Sequence, residues 1–170
     1  MATPSQHFHQ VRLNQTATLP EPVKVDGIII FRSSEVNMNN LQNGESDNTS
    51  LNLLNANEDN MLHISIRRLQ NAIVFNTMSK GGEWGPEERV VLKGRFDGPN
   101  STIAIFNHPD MYQIIANGRT IHYFKKRIQG DVAKIRYGTN AGQSSVFSDP
   151  IGVETYKDWA ALVPGSRSVL

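Results

Sequence analysis

The chain of 170 residues has no cysteine, which excludes a disulfide framework, a thiolate metal site and a cysteine nucleophile. That absence favours a reducing compartment. No apolar run approaches membrane-spanning length, and the N-terminal "MATPSQHFHQVRLNQT" contains no secretory h-region. The expectation is therefore a cytoplasmic protein, or an extracellular one exported by a non-classical route, with no membrane insertion. Three N-x-[ST] sequons, at Asn14, Asn48 and Asn100, matter only on the classical secretory route. Charge of one sign is also missing: 17 basic and 16 acidic residues leave a formal net charge of +1. The one basic run, "FKKR" (Phe124–Arg127), is short and flanked by apolar residues, and it reads as the exposed face of a strand. Nucleic acid is therefore not an expected partner. Metal-ligand spacing, a phosphate loop and a Ser-His-Asp arrangement do not stand out either. "HFH" at His7–His9 reads as part of a mobile terminus, and no cofactor or metal is expected.

What is present is a strand-like apolar pattern over most of the chain. The segments 27–31, 50–54, 62–68, 72–77, 102–108, 112–116, 120–126, 133–138 and 145–148 are short, mostly rich in β-branched or aromatic residues, and separated by turn residues. Asn117-Gly118 between two of them is a hairpin signal, because both residues tolerate positive φ. No repeat, domain-scale linker or convincing amphipathic helix interrupts this pattern. The expected fold is all-β, a sandwich of two antiparallel sheets. One domain spans 1–170, with its core at about 10–157 and a C-terminal extension at 158–170 that does not continue the strand pattern. In that extension, Trp159 either packs on the sandwich or a neighbouring subunit, or belongs to a disordered tail.

Residues 37–60 are asparagine-rich. The first part, about 37–48, lacks a core pattern and reads as a long surface loop, followed by a strand at 49–56. Such a loop is either functional or a solvated insertion.

In "LHISIRR", Leu62, Ile64 and Ile66 share one face, and His63, Ser65 and Arg67 share the other. The apolar set belongs to the core, so the polar row faces outward. Asn76 on the next strand can lie beside that row. "GEWGPEER" (82–89) can fold back onto the same face, bringing Trp84, Glu87 and Arg89 alongside while Glu88 points away. A lone tryptophan between turn residues belongs to a core more often than not, but this one has charged neighbours on a short leash. The assembled set suits a sugar. Amide, imidazole, guanidinium and carboxylate groups meet hydroxyls, and an indole face accepts the C–H patch of a pyranose. Glycosidase chemistry needs two carboxylates flanking the scissile bond, whereas adjacent Glu87 and Glu88 on an extended stretch face opposite ways. The chain is expected to bind without catalysis.

These residues carry a resemblance. His63-Ile-Ser65-Ile-Arg67, then Val74-Phe75-Asn76, then Trp84-Gly85-Pro86-Glu87-Glu88-Arg89 resembles the carbohydrate-recognition signature of galectins, the β-galactoside-binding lectins. "FRSSEVNMNN", "NTSLNLL" and "IFNHPDMYQIIANGRTIHYFKK" are similar to mushroom galectins in particular, and the likeness covers roughly 25–156. The resemblance implies a jelly-roll β-sandwich of five- and six-stranded sheets with a sugar groove on the concave face. It implies that His63, Arg67 and Asn76 contact the axial-hydroxyl region of galactose, that Trp84 stacks on the ring, and that Glu87 and Arg89 help hold the adjoining sugar. Ser65 stands where animal members commonly have Asn, a departure that touches one hydroxyl contact and not the whole site. The loop before Thr49 resembles a fungal insertion that meets the sugar beyond galactose, which makes Asp47 a further contact. Trp84 argues against the chitin-oligomer specificity of a fungal subgroup that lacks it. The implied partners are β-galactoside glycans on glycoproteins or glycolipids, crosslinked by a homo-oligomeric agglutinin, a dimer or tetramer. A role in fruiting bodies and in defence against animals that eat them follows from the resemblance alone. Two alternatives stay open: the same fold with specificity shifted to N-acetylated or sulfated glycans, and a protein-interaction β-sandwich.

Overall fold

A computed structural model describes residues 6–39, 47–140 and 143–162. In chain order the strands are β1 (Gln6–Val11), β2 (Gln15–Val23), β3 (Ile28–Ser33), β4 (Thr49–Leu54), β5 (Asn60–Arg67) and β6 (Ala72–Met78). They continue with β7 (Glu88–Val91), β8 (Ser101–Asn107), β9 (Met111–Ala116), β10 (Arg119–Lys125), β11 (Val132–Thr139) and β12 (Ile151–Tyr156), before the four-residue helix α1 (Trp159–Leu162). They form two six-stranded sheets, ordered β1-β12-β3-β8-β9-β10 and β2-β11-β4-β5-β6-β7. All the pairings are antiparallel. The β-sandwich is as expected, although both sheets have six strands where the resemblance implies five and six. No helix of the described residues is long and apolar enough to cross a membrane.

Period-2 alternation builds the core. Phe31, Phe75, Tyr112, Phe124 and Tyr137 are at most 1 % exposed and fill the space between the sheets. Truncating one of these aromatics to alanine costs about 3–5 kcal/mol. The Asn117-Gly118 turn has φ of 46° and 83°, so the β9–β10 hairpin closes as its sequence predicts.

Four strands differ from the sequence reading, each for a physical reason. β1 carries the His7-Phe8-His9 segment expected to be a mobile terminus, and it is hydrogen-bonded along β12 from Gln6↔Tyr156 to Val11↔Ile151. β2 holds Pro20 and Pro22, tolerated because it is an edge strand bonded only to β11. β7 is only four residues long at the other edge of that sheet. β12 hides its pattern behind a buried charge, Glu154, whose Oε2 accepts from Arg32 Nε at 2.6 Å. Conversely, 145–148 is not a strand, and Phe147 makes only an isolated bridge to Val36. The strand expected over 49–56 stops at Leu54, because Asn55–Asp59 form a turn with Glu58 at φ 65°.

"FKKR" is not an exposed strand face either. Phe124 is in the core, Lys126 is 7 % exposed with its ammonium 5.0 Å from the Tyr112 ring centroid, and Arg127 is ion-paired. After β12, Asp158 Oδ1 accepts from Ala161 N at 2.9 Å, an N-cap that starts α1. Trp159 meets Phe106 edge-on at 5.7 Å on the outer face of the β1–β10 sheet. Most of the long loop (40–46) and of the C-terminal extension (163–170) lies outside the described residues.

Candidate functional site

The outer face of β4, β5 and β6 carries the polar row. Leu62, Ile64 and Ile66 are buried in the core, so His63, Ser65 and Arg67 project to the other side. Cross-strand register then sets Asn52 and Asn76 on either side of His63. The chain between β6 and β7 returns over this face. Gly85 N donates to Thr77 O at 3.2 Å, and Asn76 Nδ2 donates to Gly85 O at 2.7 Å. A Cβ at residue 85 would lie 2.9 Å from Arg127 Nη1 and 3.3 Å from Asn76 Oδ1, so glycine lets the loop come this close without displacing either side chain. Trp84 is thereby carried over the strands with its ring 4.5 Å from that of His63. The indole remains 47 % exposed, so it is a presented plate and not a core residue. Asn48, His63, Arg67, Asn76, Trp84, Gly85 and Glu87 line a groove of ≈ 380 Å³, at the small end of ligand clefts.

Each polar group has a fixed chemical sense. Asn52 Nδ2 donates to the Arg136 carbonyl at 3.1 Å, so Asn52 Oδ1 is the atom 2.5 Å from His63 Nδ1. That oxygen only accepts, so His63 carries its proton on Nδ1 and offers Nε2 as an acceptor. Burial, and secondarily the Arg67 charge, lowers the His63 pKa to about 4, so the ring is neutral at pH 7. Asn76 has the opposite sense. Its Oδ1 is taken by Thr77 N at 2.8 Å and Arg127 Nη1 at 2.9 Å, which leaves only a donor for the groove. Glu87 bridges Arg89 Nη2 at 2.7 Å and Arg67 Nη2 at 3.0 Å. The Arg89 bond, and then the charge of Arg67, hold its carboxyl below the usual range. Glu88 turns the other way, to His122 Nε2 at 2.8 Å and Arg127 Nη2 at 2.9 Å.

His63, Arg67, Asn76, Trp84 and Glu87 therefore meet in one groove, with Arg89 bonded to Glu87 at its end. Ser65 does not line it. The hydroxyl is 0 % exposed, accepts from Arg67 Nε at 3.0 Å and donates to Asn48 Oδ1, so it supports the groove from beneath. Asp47 is not brought to the groove. Its carboxylate is bound by Arg68 through Nε at 3.0 Å and Nη2 at 2.7 Å, with side chains 2 % and 1 % exposed. Its neighbour Asn48 occupies the groove position, because successive side chains of an extended chain point opposite ways. Sequence reasoning missed Asn48, Asn52 and Arg127. The alternation of "SLNLL" set Asn52 opposite Leu51 and Leu53, but nothing local tied it to His63. Among the described residues, no group of three or more His, Asp or Glu could hold a metal ion.

A β-sandwich with a solvent-open polar groove and an exposed aromatic plate belongs, as a class, with the lectin-type binding proteins. Residues 10–148 match the model of the family described as galactoside-binding lectin. The chain is 40 % identical over 149 residues to Galectin-1 of Coprinopsis cinerea, covering 88 % of this chain and 93 % of the relative. It is 36 % identical to Galectin-2 of the same mushroom over the same shares. The crystal structure of Caenorhabditis elegans galectin LEC-6 superposes with a TM-score of 0.65 at 15 % identity, over 92 % of this chain and 97 % of that one, a likeness of fold alone. The chain belongs to the galectin family and is a fungal-type member.

Proposed function

We propose that the chain is a non-catalytic lectin that binds terminal β-galactosides in the Trp84 groove and crosslinks glycoconjugates through multivalency. The observation that carries the reading is the half-exposed indole set 4.5 Å from the buried, neutral His63. The indole face takes the C–H patch of the sugar ring. His63 Nε2 accepts from a hydroxyl, Asn76 Nδ2 and the Arg67 guanidinium donate to one, and Glu87 with Arg89 meets the adjoining residue. A sugar with one hydroxyl inverted leaves at least one of these buried groups unsatisfied, at about 1–3 kcal/mol each. Neither carboxylate suits glycoside hydrolysis. Glu87 is held ionised between two arginines, and Glu88 faces the opposite side. A shallow polar groove gives weak single-site binding, so linked copies in a dimer or tetramer supply avidity for glycans on glycoproteins or glycolipids.

A glycan array tests the specificity, with galactose-terminated structures expected as the main hits. Hits confined to N-acetylated or sulfated glycans without terminal galactose would move the specificity, and silence would leave a protein-interaction module. In parallel, Trp84→Ala is expected to abolish retention on lactose-agarose with the melting temperature unchanged to within a few degrees, since the residue is exposed. Retention of that variant would overturn the site assignment.

A further inference from the structure

The groove residues sit on one sheet and its loop, yet their arrangement depends on a side chain that follows the edge strand of the other sheet. Arg127 lies just beyond β10 and is not among the groove-lining residues. Its guanidinium nevertheless reaches three elements of the site. Nη1 donates to Asn76 Oδ1 at 2.9 Å, and Nη2 donates to the Pro86 carbonyl at 2.7 Å and to Glu88 Oε2 at 2.9 Å. Its guanidinium carbon also lies 4.8 Å from the Phe124 ring centroid, over a side chain that is fully buried. The planar fork is therefore seated on the core on one side, and its edges grip the Trp84 loop, β6 and β7.

We propose that Arg127 is a positioning residue for saccharide recognition, fixing the Asn76 amide and the Trp84 loop from the opposite sheet without touching the sugar. The proposal rests on the galactoside reading of the groove for its binding consequence. Three observations carry it independently of any ligand. The Asn76 oxygen has two donors, Arg127 and the Thr77 N–H, so the amide presents only N–H to the groove. Two successive loop carbonyls just after Trp84 are held by the same unit: Gly85 O by Asn76, and Pro86 O by Arg127. The Arg127 guanidinium packs directly against residue 85, 2.9 Å from where a Cβ would stand, so any side chain there would push Arg127 out of this position. Charge-assisted bonds from a fork of fixed geometry hold orientation better than a single ammonium does. Lysine, a point charge on a flexible stem, can replace one of the three bonds but not the set.

The test uses the full chain with Arg127→Met and Arg127→Lys, measuring lactose Kd by calorimetry and the Asn76 side-chain NH2 signals in ¹⁵N-¹H spectra. For Arg127→Met, the expected result is displaced or broadened Asn76 amide signals and a Kd weakened about tenfold, with backbone signals of the remote strands β1, β2 and β12 unmoved. Arg127→Lys is expected to fall between wild type and Met on both readouts. Unchanged Asn76 signals, or an unchanged lactose Kd alongside a normally binding wild type, would overturn the positioning role. If the wild type itself fails to bind lactose, the galactoside reading falls, while the Asn76 signals still decide whether Arg127 orients the amide. If Arg127→Met does not fold, Arg127→Lys decides alone: Asn76 signals at their wild-type positions overturn the proposal, and displaced ones support it.

Discussion

Arg67 and Arg68 are adjacent, identical in chemistry and opposite in use. Arg67 ends β5, points outward and is one-fifth exposed. Its Nε donates to Ser65, one edge meets Glu87, and the rest of the guanidinium lines the groove. Arg68 turns inward with its side chain 1 % exposed. It donates to both oxygens of Asp47, to Asn37 O at 2.8 Å and to Ser144 O at 2.7 Å. One half-turn of the extended chain separates a guanidinium with donors left for a ligand from one whose donors are committed to the fold. The type of residue is therefore a poor guide to role, and the unfilled hydrogen-bonding capacity is a good one.

The largest expected effect comes from breaking the buried pair. Asp47→Ala leaves the Arg68 charge buried without its counter-ion, and urea unfolding is expected to report a loss of about 3–5 kcal/mol. Lactose affinity of the folded fraction should hold. Adding Arg68→Met to Asp47→Ala should recover only part of the stability: the uncompensated charge is gone, but the Asn37 and Ser144 carbonyls lose the Arg68 donors. A loss below about 1 kcal/mol in the single variant would dissolve the contrast between the two arginines. The complementary change, Arg67→Met, is expected to weaken lactose binding about 100-fold (~2.7 kcal/mol) while altering stability by only about 1 kcal/mol, since its pair with Glu87 is partly exposed. If binding and stability fell together, Arg67 would be structural as well, and the comparison would fail from the other side.

The same contrast explains what could be read along the chain. The outward row of His63, Ser65 and Arg67 was legible because its partners Leu62, Ile64 and Ile66 are unambiguous, and a period of two leaves one choice of face. Trp84 taken alone reads as core, and it is legible as a presented side chain only together with His63, Arg67 and Asn76. The Asp47 expectation erred by one residue, since an asparagine-rich stretch without apolar alternation carries no phase to say which side chain points out. Asn52 needed the β4–β5 register to connect it to His63. Arg127 lies 51 residues from Asn76, just beyond an edge strand of the other sheet, a juxtaposition only the closed sandwich creates. Two of the missed strands show why: the prolines of β2 break the apolar pattern and its pairing with β11, which skips from Thr18 to Val23, while the buried charge in β12 breaks the pattern and leaves its ladder to β3 continuous. The family signature specifies residue types at spacings, and the structure decides which of them face a ligand.

The smallest expected effect is an absence of change where an ordinary histidine would titrate. Free imidazole takes its proton near pH 6.5, but in the folded chain burial holds the His63 pKa at about 4, with Arg67 adding to the shift. Between these values the unfolded chain binds a proton that the folded one refuses. Stability therefore declines as pH falls from about 6.5 towards 4 and levels off below, where both forms are protonated. Glu87 adds a loss of the same sign from a different cause: Arg89 first, and then Arg67, lowers its pKa, so its contribution is present above the unfolded value and is lost as pH falls through the lower folded one. Down to about pH 5, a unit above the His63 value, His63 Nε2 remains an acceptor. Lactose Kd is accordingly expected to vary less than about twofold between pH 7 and 5 and to collapse near pH 4, when protonation turns Nε2 from acceptor to donor. Titration of lactose binding across that range, with the His63 ring protons followed by NMR, separates the cases. A binding midpoint near pH 6.5 would mean that the imidazole is not sealed between Asn52 and the indole, and that the groove is more open to water than its geometry implies.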